Sequence, residues 1–154
     1  MATHLKLNDR APDWELVDGT GETHRLSDYR GQPVVLVFYP MDFNPVCAEE
    51  HACFIDVLKD FERAEAQVLG ISVDHRHAHA AFAKQNGIAY PLLADFHPKG
   101  DVGKRYGVYL EDAGFHARTT LVIDPEGRIC FIQENETSAV PDIEEVLEAV
   151  HEAS

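Results

Sequence analysis

The residues of this chain best placed to do chemistry lie in the stretch FYPMDFNPVCAEEHACF, residues 38–54. The run PVVLVFY just before and into it is continuous and β-branched, the pattern of a strand buried on both faces. Pro45 suits the first turn of the helix that must follow, which puts Cys47 inside that turn. There the sulfur meets the positive end of the helix dipole and unpaired backbone N–H groups. Both favour the thiolate and predict a thiol pKa below ~8.5, in the range ~5–7. Cysteine is also among the most buried residue types, so position alone leaves two readings open: a reactive thiolate or a small core hydrophobe.

Two further cysteines, Cys53 and Cys130, make an odd count with no CxxC pair and no zinc spacing. Six residues along a helix is a rise of ~9 Å, whereas a disulfide needs Cα atoms within about 7 Å. Cys47 and Cys53 therefore cannot bond unless the first turns unwind, and Cys53 reads as a core or interface residue. Cys130, in the strand-like GRICFI, reads as a small buried residue. In DHRHAHAAF, His75 and His79 could share a helical face, which invites a metal. A third ligand is not evident, the segment falls at a strand-to-helix turn, and no metal is expected.

The elements that position these residues are legible by pattern. DWELVDGTGETHRLSDYRG reads as an N-terminal β-hairpin turning at Asp18-Gly19. A helix runs from Val46 to about Ala66, carrying Phe54, Val57, Leu58 and Phe61 at helical spacing. QVLGISVD is a second buried strand and HAAFAKQNG a short helix ended by Gly87. YPLLAD and DVGKRYGVY suggest an extended segment and a short helix; ARTTLVIDPEGRICFI is a hairpin turning at Asp124–Gly127. PDIEEVLEAVHEA closes the chain as a helix with a proline in its first turn. This order predicts a mixed β-sheet flanked by helices in a thioredoxin-like α/β fold, one domain over residues 1–154.

The net charge of −14 disfavours nucleic acid and anionic membrane surfaces, because phosphate contacts need clustered Lys and Arg. The longest apolar run is nine residues and MATHLKLNDR has no hydrophobic signal segment, so a cytoplasmic protein without a membrane span is expected.

FYPMDFNPVCAEE resembles the active-site segment of the peroxiredoxins, Pro-x-x-x-Thr/Ser-x-x-Cys with Glu three residues on; Pro40, Cys47 and Glu50 fall on that pattern. ARTTLVIDPEG resembles the segment that carries the family's active-site arginine, here Arg118. APDWEL, LSDYRG, GISVD, YPLLADF and YGVY are similar to family blocks in the same order, and the region from YPLLADF to TTLVID looks most like the one-cysteine alkyl hydroperoxide reductase E subgroup. The resemblance implies a thiol-dependent peroxidase: the Cys47 thiolate attacks a small peroxide and becomes a sulfenic acid. It implies that Arg118 stabilises developing charge, that Pro40 shields the sulfur, that the Cys47 N–H binds peroxide, and that Glu50 holds an arginine. From position alone Glu50 is equally an exposed helix-face carboxylate. His116 either lines the pocket or lies on the hairpin surface.

Asn44 departs from the family's Thr or Ser. An amide can contact peroxide but cannot rotate one proton as a hydroxyl does, and Asn is also a good helix cap. A working but slowed or substrate-shifted peroxidase is expected. Where some members place a resolving cysteine this chain has Ala52, so no resolving cysteine is expected. The reductant is then an external thiol, either a low-molecular-weight thiol or a thioredoxin- or glutaredoxin-like protein. The resemblance also implies a homodimer and no bound cofactor. The chief rival is a redox sensor or interaction module with weakened peroxidase activity; a thiol-disulfide oxidoreductase fits the fold but lacks CxxC.

Overall fold

Strand β3 (Val34–Phe38) is an interior strand of the sheet, with all of its residues buried. In the computed structural model, which describes residues 3–136 and 138–153, Val35, Val37 and Tyr39 face one core and Leu36 and Phe38 the other. That two-sided burial is why the run is continuously apolar rather than alternating. The other elements are β1 (Glu15–Asp18), β2 (Thr23–Arg25), α1 (Pro45–Asp56), α2 (Leu58–Arg63), β4 (Gln67–Ser72), α3 (Arg76–Asn86), β5 (Leu92–Ala94), α4 (Asp101–Arg105), β6 (Tyr109–Leu110), β7 (Phe115–His116), β8 (Thr119–Ile123), β9 (Ile129–Glu134) and α5 (Ile143–Ala153).

Seven strands form one mixed sheet in the order β2-β1-β5-β4-β3-β8-β9. β3, β4 and β5 are parallel, while β8 runs antiparallel to β3 and β9 antiparallel to β8. One face carries Phe54 of α1, Phe61 of α2, Phe82 of α3 and Val146 and Val150 of α5. The other face buries Trp14, Leu69, Ile71, Val102, Tyr106 and Leu121. This is the helix-flanked mixed sheet with an N-terminal hairpin that the sequence predicts. Among the described residues no helix is long and apolar enough to cross a membrane.

Three local expectations are corrected. The helix predicted from Val46 to Ala66 breaks at Val57 (φ −111°, ψ 12°), which ends α1 and opens α2. With the break, Phe54 and Phe61 both bury, their ring centroids 6.1 Å apart. Pro141 precedes α5 instead of entering its first turn, and Asp142 accepts the Glu145 N–H at 3.3 Å. A further small hairpin, β6–β7, follows α4 and begins at Tyr109, the end of the segment expected to be a short helix.

Candidate active site

The sheet register brings the site together. Phe38, the last residue of β3, pairs with Thr119, the first of β8, so Arg118 sits beside the loop that leaves β3 for α1. Pro40 is buried at the start of that loop. Asn44 ends it as the N-cap of α1, with Oδ1 accepting from the N–H groups of Val46 at 2.9 Å and Cys47 at 3.3 Å. Cys47 is thus the third residue of the helix and Glu50 lies one turn on, along the same face.

Cys47, Glu50 and Arg118 are all fully buried. The guanidinium bridges the other two, with Nη2 donating to Cys47 Sγ at 3.3 Å and Nη1 donating to Glu50 Oε1. The backbone N–H of Met41 also favours the thiolate. Glu50 Oε2 is buried without a hydrogen-bond partner among the described residues. Burial pushes the Glu50 carboxyl up to about 7, against the pull of Arg118. The exposed helix-face reading of Glu50 is therefore overturned.

The predicted fall in the Cys47 pKa is not met. Burial pushes the thiol up from its ordinary value; the Met41 N–H and Arg118 pull it down, and the Glu50 charge pushes it up further. Position at a helix end suggested stabilisation of the thiolate, but the sequence does not display how completely the sulfur leaves water.

The other thiols lie elsewhere. Cys53 is half-buried on α1, whose intact turns separate it from Cys47, and Cys130 is half-buried in β9 with Sγ 3.4 Å from the Val122 carbonyl oxygen. Burial lifts the Cys130 thiol to about 11. His116 is neither pocket-lining beside Arg118 nor on the surface: it is buried, its Nε2 3.0 Å from Asp95 Oδ2 and its ring edge against Phe38. His75 caps α3 and stacks on His77, while His79 turns inward, so the two do not converge.

His79 instead meets Asp42 and Asp74, partners that the sequence reading did not find, and the three offer donor atoms within 4.8 Å of one another. Both His79 nitrogens are engaged, with Asp42 Oδ2 at 2.7 Å and the Leu93 carbonyl at 2.9 Å. Beneath the loop, His51 packs edge-on against Tyr39 and lies 2.5 Å from the Tyr90 hydroxyl. Gly70 of β4 leaves the room for this, since a Cβ there would stand 3.2 Å from Tyr39 and 3.3 Å from His51. The signal for Asp42 and His79 was present only as an acid in the loop and the innermost member of an alternating histidine run.

The chain is similar to known proteins over most of its length. Residues 7–132 match the AhpC/TSA family. The chain is 38% identical over 139 residues to alkyl hydroperoxide reductase E of Mycobacterium tuberculosis, covering 90% of this chain and 91% of that protein. It is 37% identical over 153 residues to peroxiredoxin tpx1 of Schizosaccharomyces pombe, covering 93% and 79% respectively. Its fold is similar to the crystal structure of peroxidoxin BcpB from Mycobacterium tuberculosis, with a TM-score of 0.87 and 33% identity over 98% of this chain and 99% of that one.

Proposed function

This chain belongs to the AhpC/TSA family and is a thiol-dependent peroxidase; from that premise we propose that Cys47 is the thiol that reacts with peroxide and that Arg118, Glu50, Asn44 and Pro40 form its site. The observation that carries the assignment is the buried Arg118 guanidinium held between Cys47 Sγ and Glu50. The thiolate sulfur attacks one oxygen of a hydroperoxide, the O–O bond breaks, and the other oxygen leaves as an alkoxide or hydroxide that takes a proton. Cys47 is left as a sulfenic acid. Arg118 stabilises the charge on the sulfur and on the oxygens as the bond breaks, in a site from which water is excluded. Glu50 holds the guanidinium in place, and Pro40 walls the sulfur.

Peroxide approaching the Cys47 N–H must take it from Asn44 Oδ1. The 3.3 Å length of that bond supports its being the contact given up. With Cys53 kept apart on α1, the sulfenic acid condenses with an external thiol, releasing water and forming a mixed disulfide. A second thiol then frees Cys47. The reductant is a low-molecular-weight thiol or a thioredoxin- or glutaredoxin-like protein in the cytoplasm, and the working form is a homodimer. A redox sensor without turnover is the weaker reading, since the sulfur and its cation stand in direct contact despite Asn44.

Stopped-flow reaction of the reduced protein with hydrogen peroxide and with an organic hydroperoxide, against Cys47→Ser, tests the assignment. Fast, Cys47-dependent consumption of one thiol, ending at sulfenic acid by mass spectrometry, is expected. A rate no better than that of a free thiol removes it.

A further inference from the structure

The loop between β3 and α1 belongs to no ladder, yet it sets the place of the Met41 N–H, which favours the Cys47 thiolate. Asp42, the next residue, is fastened from three directions. Its Oδ1 accepts from the Tyr39 hydroxyl at 2.6 Å, its Oδ2 meets His79 Nδ1 at 2.7 Å, and its backbone N–H donates to Asp74 Oδ2 at 2.8 Å. The side chains of Asp42 and His79 are both 0% exposed.

Hydrogen-bond chemistry fixes the protons. The Leu93 carbonyl, 2.9 Å from His79 Nε2, can only accept, so Nε2 carries a proton. The short line between Nδ1 and Asp42 Oδ2 must hold another, or two lone pairs would face each other. Tyr39 donates to the other oxygen of the same carboxyl group. One proton thus lies on the 2.7 Å line between the buried imidazole and the buried carboxyl. The groups facing the pair are Tyr39 of the β3 end, Asp74 of the loop after β4, and His51 of α1 through the Tyr39 ring. A buried pair of this kind is a poor source of net stability, and its attested use is to fix one arrangement.

We propose that the Asp42–His79 pair is the positioning device of the peroxidatic loop, tying α3 to the residue after Met41 so that the Met41 N–H stays where it favours the Cys47 thiolate. Neither residue touches peroxide; both act through the loop. Two successive peptides flank Met41: the Asp42 N–H of one is held by the Asp74 carboxylate, and the Met41 N–H of the other favours the Cys47 thiolate. The inference rests on Cys47 being the reacting thiol.

Two measurements test it. In the unmodified protein at neutral pH, nitrogen NMR of the histidine rings should show one buried imidazole with Nε2 protonated and Nδ1 sharing a hydrogen-bonded proton; a His79 ring lacking either proton overturns the proposal. His79→Gln keeps an amide donor for Leu93 and breaks the contact to Asp42, and Asp42→Asn replaces the carboxyl on the other side. Each should raise the titration midpoint of the Cys47 thiolate by about one pH unit, a roughly tenfold loss of thiolate at neutral pH. Each should also slow peroxide reduction ~10- to 100-fold even at a pH where the thiol is ionised. A pair that only stabilised the fold would lower the unfolding midpoint and leave thiol titration and rate unchanged, which refutes positioning. Should neither variant fold, the ring protonation in the unmodified protein decides. Cys47→Ser separates the two layers: if it retains activity, the assignment of Cys47 fails, whereas an inert Cys47→Ser beside an unaffected His79→Gln sinks only the positioning role.

Discussion

At the scale of single residues, the site combines groups that oppose one another. Asn44 secures the first turn of α1 with the same oxygen that occupies the Cys47 N–H. Replacing it with Thr keeps a capping oxygen, and a rotatable hydroxyl becomes available to orient peroxide. Asn44→Thr is therefore expected to raise the second-order rate with peroxide at least ~10-fold, since misplacement of ~1 Å can cost ~100-fold. An unchanged rate would show that the amide orients peroxide equally well. Glu50 opposes Cys47 more directly, because its charge pushes the thiol up. Its own carboxyl is raised from 4.5 to about 7, so the folded state holds that proton more tightly than the unfolded chain. The associated stability is fully present below pH 4.5 and is lost as pH rises through about 7. The gap corresponds to at most about 3 kcal/mol. Urea unfolding at stepped pH should show this decline in the wild type and its absence in Glu50→Gln. The same variant should lower the thiolate midpoint of Cys47, and a midpoint that rises instead would mean that Glu50 acts chiefly by aiming Arg118.

At the scale of elements, α1 decides which sulfurs can meet. It is continuous from Pro45 to Asp56, with Asn44 capping its start, so Cys47 and Cys53 stand nearly two turns apart. Peroxide-treated protein should therefore contain no Cys47–Cys53 disulfide by peptide mass mapping, and Cys53→Ser should react at the wild-type rate within about twofold. A disulfide would mean that the capped turn opens during turnover. Much at this scale was legible in the sequence. The β-branched run of β3, the Asp124–Gly127 turn and Gly87 at the end of α3 each carry a local signal. The break at Val57 was not legible, because Phe54 and Phe61 keep helical spacing across it and only the shape of the core requires the bend. The site divides in the same way. Cys47, Glu50 and Arg118 are marked by their segments, but the pairing of Asp42 with a histidine 37 residues away depends on how α3 lies over the β3 end. The completeness of Cys47 burial is likewise a property of packing rather than of sequence position.

At the scale of the whole molecule, the sheet converts distance along the chain into contact, setting Arg118 against a sulfur 71 positions earlier. The same loop that this contact buries from inside shows apolar side chains outside. Met41 is 36% and Phe43 50% exposed, and they flank the buried Asp42. Phe43 takes a positive φ of 67°, which a bulky residue rarely adopts, and its ring packs edge-on against Phe82 of α3. Exposed aromatic residues held in place are the usual anchors of protein interfaces. We expect the second copy of a homodimer to cover them. Phe43→Glu should then weaken the dimer by about 2 kcal/mol, roughly 30-fold, in sedimentation equilibrium. The net charge of −14 on each copy opposes that association over a screening length of ~10 Å at 0.1 M salt. Dimerisation should accordingly tighten as salt is raised from ~0.01 M to ~0.2 M, because screening removes repulsion while the apolar contact persists. A dimer that loosens with salt would place attractive ion pairs at the interface, and one indifferent to Phe43→Glu would put the interface on another face.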